Sequence, residues 1–134
     1  INTSKYMDKF DSLAWDIVHK GLNTIDFSML GGNVRKEILV KVAELFLKEG
    51  KPIEAINALN MAGDKEKLIE YGDYFLNSNR FTEAAHAFVY ADDTKRMRYV
   101  AEICVREEIY DAAIMVYEKL DDQEMVSYLK ANFK

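Results

Sequence analysis

Few residues in this 134-residue sequence are of types that carry out chemistry. They are the single cysteine, Cys104, and the two histidines, His19 and His86. These three residues are far apart and do not have the short spacings of a zinc site, and a lone cysteine in apolar sequence is usually a core residue. The glycines Gly31 and Gly32 are not part of a G-x-x-x-x-G-K-S/T phosphate loop. The sequence therefore predicts no enzyme, no metal site and no cofactor.

The dominant feature of the sequence is an internal repeat. Ala55, Ala84 and Ala113 follow one another at steps of 29 residues. Small residues and turn residues recur at the same step, in the two series Ala43, Gly72, Ala101 and Asp64, Asp93, Asp122. A constant period of about 20–50 residues is typical of stacked supersecondary units.

Each repeat is predicted to be a pair of helices. Leu68, Gly72 and Phe75 have the spacing of one helical face, and Asp64 stands before them as an N-cap. Ala84 and Phe88 begin a second, shorter helical stripe. Small residues allow two helices to cross closely, and larger ones fill the space beside the crossing. The predicted packing residues are Ala55, Ala84, Ala113, Gly72, Phe75 and Phe88.

The repeat resembles the tetratricopeptide pattern W-x-x-L-G-x-x-Y…A-x-x-x-F. The matching positions are Leu68, Tyr71, Gly72, Phe75, Ala84 and Phe88. The family repeats about every 34 residues and usually closes with proline, whereas this chain has the shorter period and an aspartate there. In this respect the hairpins look more like the short-repeat solenoids of intraflagellar transport and vesicle coat proteins. The resemblance implies an all-α fold, a right-handed α-solenoid of helix-turn-helix repeats, and the spacing of the repeated residues gives this solenoid a 29-residue period.

The expected organisation is one helical-repeat domain over residues 1–134. Its parts are a diverged repeat at 5–33, repeats at 34–62, 63–91 and 92–120, and a final half-repeat at 122–134. The sequence begins with isoleucine rather than methionine, which suggests a fragment of a longer protein.

The resemblance also implies a non-catalytic protein-binding scaffold, because the first helices of tetratricopeptide hairpins line a groove for a partner segment. Carried over by position, the groove residues are Trp15, His19, Glu44, Lys48, Asp73, Asn77, Glu102 and Arg106. Their carboxylates favour a basic protein or peptide. However, Glu44 with Lys48 is also an i,i+4 pair that needs no ligand, and Trp15 is compatible with either core burial or a partner contact.

Two other roles stay open. The chain could be a structural segment of an intraflagellar-transport or vesicle-coat assembly, or a regulatory repeat domain attached to an enzyme. The final helix, through Met125, Tyr128 and Phe133, is predicted to leave an apolar patch that supports weak self-association.

The composition of the chain limits the classes of partner to expect and favours one cellular compartment. The formal net charge of −5 disfavours nucleic acid, whose binding depends on clustered lysine and arginine. No apolar run approaches the length of a membrane span, so no membrane insertion is expected. A single cysteine cannot form an internal disulfide, which favours a cytoplasmic location.

Overall fold

The computed structural model describes residues 10–133 of the chain. Within that range the backbone forms eight α-helices, one short 3₁₀ helix and no β-strand, which confirms the all-α prediction. The chain divides after Asp64 into two compact units, called here the N-terminal unit and the C-terminal unit. Residues 5–9 of the predicted first repeat and residue 134 of the predicted half-repeat lie outside the described residues.

The N-terminal unit contains three α-helices. They are α1 (Asp11–Lys20), α2 (Gly32–Lys48) and α3 (Pro52–Ala62). Helix α2 packs against both α1 and α3. Its buried face consists of apolar residues at helical spacing, namely Ile38, Leu39, Val42, Ala43 and Phe46.

The N-terminal unit differs from the predicted hairpin between α1 and α2. The chain forms only a 3₁₀ helix, Leu22–Thr24, and then an irregular segment, 25–31. In that segment the carboxylate of Asp26 accepts the backbone N–H of Ser28 at 2.9 Å, a local bond that competes with helix formation. Phe27 is buried and ties the segment to the unit. The first repeat therefore has no second α-helix within its described part.

The C-terminal unit contains five α-helices. They are α4 (Lys65–Asn77), α5 (Phe81–Ala91), α6 (Thr94–Arg106), α7 (Tyr110–Lys119) and α8 (Gln123–Asn132). Each of these helices packs against the next one, and α5 also contacts α7. Asp93 and Asp122 cap α6 and α8, because their carboxylates accept backbone N–H groups from Arg96 and Met125.

The turns between these helices are closed by residues in the left-handed conformation. After α4, Asn79 has a φ of 60°, and the N–H of Arg80 donates to the carbonyl of Phe75 at 2.8 Å. After α5, Asp92 has a φ of 56°, and the N–H of Asp93 donates to the carbonyl of Phe88 at 3.3 Å. This geometry satisfies carbonyl groups that the helix ends leave free.

Small residues lie in the core of both units. Ala55 in the N-terminal unit and Ala84 and Ala113 in the C-terminal unit are fully buried. In the C-terminal unit Gly72 is buried, and a β-carbon there would overlap the ring of Phe88. Helix α4 can approach α5 closely because Gly72 has no side chain.

Candidate functional site

An aromatic pair lies on the surface of α1. The rings of Trp15 and His19 stack with their centroids 3.9 Å apart and their planes at 27°. His19 Nδ1 donates to the carbonyl oxygen of Trp15 at 2.8 Å, and its Nε2 lies 3.4 Å from Glu49 Oε1. Trp15 nevertheless remains 51% exposed. The stack thus orients a large aromatic side chain of which about half stays exposed to water.

Trp15 borders a cleft between α1 and α2. The cleft has a volume of about 170 Å³ and is lined by Asp11, Trp15, Lys41, Glu44, Leu45 and Lys48. Lys41 Nζ lies 3.0 Å from Asp11 Oδ1. Glu44 and Lys48 are exposed, and the described side chains form no ion pair between these two residues. The structure therefore brings three predicted groove residues, Trp15, Glu44 and Lys48, to one cleft with His19 stacked on the first.

Asp73, in the C-terminal unit, is engaged by an arginine of the same unit. Arg96 Nε and Nη2 donate to the two carboxylate oxygens of Asp73 at 2.9 and 3.0 Å. The remaining Nη1 donates to Asp93 Oδ2 at 2.9 Å. The arginine thus joins α4 to the start of α6. The backbone N–H of Arg96 is also the main cause that holds the pKa of Asp93 below its usual range.

The other groove residues predicted in the C-terminal unit are not bonded to one another. Asn77, Glu102 and Arg106 are exposed on α4 and α6. Within residues 10–133 no hydrogen bond or ion pair joins any of them to another predicted groove residue. Glu102 and Arg106 are four residues apart on α6, yet no ion pair joins them within that range.

The end of the C-terminal unit is only partly apolar at its surface. Phe133 stacks on Tyr110 with ring centroids 4.1 Å apart, and both Phe133 and Met125 are half-buried. Tyr128 is 54% exposed and meets Phe133 edge to face. Of the three residues predicted to form an association patch, Tyr128 is the one that leaves most of its side chain in water.

The cysteine, histidine and carboxylate side chains of the described residues do not come together in a reactive or metal-binding site. Cys104 is fully buried, and burial raises the pKa of its thiol to about 11, so the thiol stays protonated at neutral pH. Burial lowers the pKa of His86 and so favours its neutral form, against the opposing effect of the Glu83 carboxylate. No cluster of three or more histidine, cysteine or carboxylate side chains able to hold a metal occurs among the described residues. In the same part of the chain, no helix combines the length and apolar character needed to cross a bilayer.

Sequence reasoning missed two partners that shape these surfaces. Arg96 bonds to Asp73 although the two are 23 positions apart in the sequence, and Glu49 lies close to His19 although these are 30 positions apart. Neither pair has a spacing that helix periodicity would reveal, since Arg96 and Asp73 lie on different helices and Glu49 follows the end of α2. In comparisons with known proteins, no family model, no curated protein and no solved structure matches this chain.

Proposed function

We propose that the chain is a right-handed α-solenoid of tetratricopeptide-like helical hairpins that serves as a non-catalytic scaffold for protein binding. The geometry of the turns between helices supports a repeat of 29 residues. The residues in the left-handed conformation form two series at steps of 29, Gly50, Asn79, Glu108 and Gly63, Asp92, Asp121. Each is followed by a residue whose N–H bonds back to the carbonyl five positions earlier. Because Cys104 is a free thiol, we further propose that the scaffold works in the cytoplasm.

The observation that carries the binding role is the exposed, oriented ring of Trp15. Tryptophan is enriched at the energetic centres of protein interfaces. A tryptophan side chain contributes about 150–250 Å², so covering its exposed half removes roughly 100 Å² of largely apolar surface from water. At about 25 cal/mol per Å² this gives roughly 2.5 kcal/mol of favourable burial. The stack on His19 reduces the ordering that binding would require.

Four charged side chains line the cleft, and two of them, Asp11 and Lys41, pair with each other; of the other two, Glu44 is the one that could receive a basic side chain of the partner. Glu44 lines the same cleft as Trp15 and has no ion-pair partner among the described residues. A lysine or arginine placed on the ring of Trp15 would gain a cation–π contact and could pair with Glu44. The net charge of −5 would favour the approach of such a segment. In the C-terminal unit, considered by itself, Asp73 is engaged by Arg96, and Glu102 forms no ion pair with a described residue.

The test compares Trp15→Ala with Tyr99→Ala as a matched control. Both parent side chains are aromatic and about half exposed, but Tyr99 lies on α6 in the C-terminal unit. Extracts of the source cells are passed over the immobilised parent and both variants. A partner of this site should bind the parent and Tyr99→Ala and be lost from Trp15→Ala. Equal retention on all three chains would place the interface elsewhere.

The candidate partner is then examined in purified form. Trp15 is the single tryptophan of the chain, so the intrinsic tryptophan emission reports on this cleft alone. Binding should shift that emission to shorter wavelength because the ring leaves water. Glu44→Lys should weaken the complex by about 5- to 30-fold and reduce its salt dependence. An unchanged emission spectrum on binding would contradict the proposed contact with Trp15.

A further inference from the structure

A second cleft in the N-terminal unit is lined by side chains of a different character. It lies where the irregular segment 25–31 meets the start of α2 and the end of α3, and it has a volume of about 530 Å³. The cleft is shallow and open to solvent, which suits an extended segment that lies along the surface. Four apolar side chains line it, those of Ile25, Phe27, Leu30 and Met61. Of these four only Phe27 is buried, so the cleft presents apolar surface to water.

Arg35 supplies a positive charge to the same cleft. Its side chain is half-buried and lines the cleft, and its guanidinium forms no hydrogen bond or ion pair with any described residue. The carboxylate of Asp26, in the segment 25–31, accepts the backbone N–H of Ser28. A partly desolvated guanidinium without a partner favours an incoming carboxylate, which it can bind through two parallel hydrogen bonds. The charge of the cleft is therefore complementary to an acidic group beside an apolar one.

An adjoining cleft carries amide side chains. It has a volume of about 270 Å³ and shares Met61 with the first cleft; the rest of its lining consists of Leu22, Asn23, Glu54, Asn57 and Asn60. The three asparagine side chains form no hydrogen bond with described residues. Asn57 and Asn60 are three residues apart on α3 and so lie on one face of that helix. A carboxamide offers a donor and an acceptor, the two groups that a peptide main chain needs.

We propose that these two clefts form one site for an extended peptide segment of a partner protein. The main chain of the segment bonds to Asn57 and Asn60, an apolar side chain enters beside Phe27 and Met61, and a neighbouring aspartate or glutamate binds Arg35. Glu54 lies at the amide end of the site and Arg35 at the apolar end. The acidic residue of the segment is therefore expected to bind at the apolar end, away from Glu54. This site is separate from the Trp15 cleft and does not depend on it.

The experiment titrates the isotope-labelled full chain with a panel of short blocked peptides and follows the backbone amide signals. Each peptide has one glutamate between two apolar residues chosen from leucine, phenylalanine and methionine, and each has a glutamine counterpart. At least one glutamate peptide should give saturable shifts confined to the segment 25–35 and the end of α3. Its glutamine counterpart should bind about 3- to 10-fold more weakly, since a charge-assisted bond is replaced by a neutral one.

Variants separate the two parts of the site. Arg35→Gln should abolish the preference for glutamate, whereas Lys36→Gln, the same change on the exposed neighbouring residue, should leave it intact. Asn57→Ala combined with Asn60→Ala should weaken the glutamate and glutamine peptides alike, by about 3- to 30-fold. Trp15→Ala should change none of these affinities, which distinguishes this site from the scaffold groove. If no peptide shifts these amides, or if glutamate and glutamine peptides bind equally well to the parent, the proposal is wrong.

Discussion

Gly72 of α4 lies against the ring of Phe88 of α5 so closely that a β-carbon at position 72 would overlap the Cε1 and Cδ1 atoms of that ring. Phe88 is fully buried and has no free space into which it could turn without displacing its neighbours. The contact sets the separation of α4 and α5.

Replacement of Gly72 by alanine should therefore destabilise the C-terminal unit. Overpacking of a core costs about 1–3 kcal/mol, and the better helix propensity of alanine recovers about 1 kcal/mol at most. We expect a lower midpoint in thermal and urea unfolding. The control is Gly32→Ala, because a β-carbon there meets no atom within 4 Å. Phe88→Leu should rescue part of the loss in a double variant; strictly additive effects would show that the two residues are not in contact.

The left-handed residue after α6 offers a stabilising change. Glu108 has a φ of 62°, a conformation that glycine adopts without the steric cost of a β-carbon. Glu108→Gly should raise the free energy of unfolding by about 0.5–1 kcal/mol. The adjacent residue is the matched control, since Glu107 has a φ of −88° and Glu107→Gly should lower stability. Equal effects of the two changes would mean that the turn does not have this geometry.

Asp93 should contribute a pH-dependent part of the stability. Its carboxylate accepts the N–H of Arg96 and pairs with the guanidinium, so its pKa in the folded chain lies below the usual value near 3.8. A lowered folded-state pKa means that the stabilisation is present above pH 3.8 and is lost as the pH falls through the folded-state value. Asp93→Ala should cost about 0.5–2 kcal/mol at pH 7, and the difference from the parent should shrink in acid.

Asp93→Asn separates the cap from the charge. The amide oxygen can still accept the N–H of Arg96, so this variant should lose less stability than Asp93→Ala at pH 7. Its difference from Asp93→Ala should also persist in acid, because the carboxamide does not titrate. Urea unfolding of the three chains between neutral pH and pH 3 measures both effects. A parallel fall of parent and Asp93→Asn with pH would mean that Asp93 contributes nothing to the acid sensitivity.

Weak self-association through the end of the C-terminal unit stays a prediction, and Tyr128 is its test. The side chain is 54% exposed, whereas Phe133 is held by its stack on Tyr110. Tyr128→Lys should abolish any concentration-dependent increase in sedimentation rate without changing the melting temperature. Tyr74→Lys is the control, since Tyr74 is 57% exposed on α4. A parent chain that stays monomeric at high concentration would identify α8 as a finished cap.

The sequence by itself determined the local elements of this protein. The spacing of Leu68, Gly72 and Phe75 predicted α4, and the aspartates before α6 and α8 are the caps that bond to the first-turn amides. These features can be predicted because helix periodicity and capping depend on residues within four positions of one another. The same local rules did not reveal that Asp26 and Ser28 form a turn where the first repeat was expected to continue.

Only the tertiary structure decided which side chains are available for binding. Asp73 and Glu102 are equivalent in the sequence repeat, yet Asp73 is bonded by Arg96, whereas Glu102 forms no ion pair or hydrogen bond through its side chain with any described residue. For Trp15, the sequence was compatible with either core or surface. The buried face of α1 carries Ala14, Ile17 and Val18, which leaves Trp15 at its edge. Such outcomes depend on how separate helices meet, and packing between helices is set by the whole unit rather than by spacing along one helix.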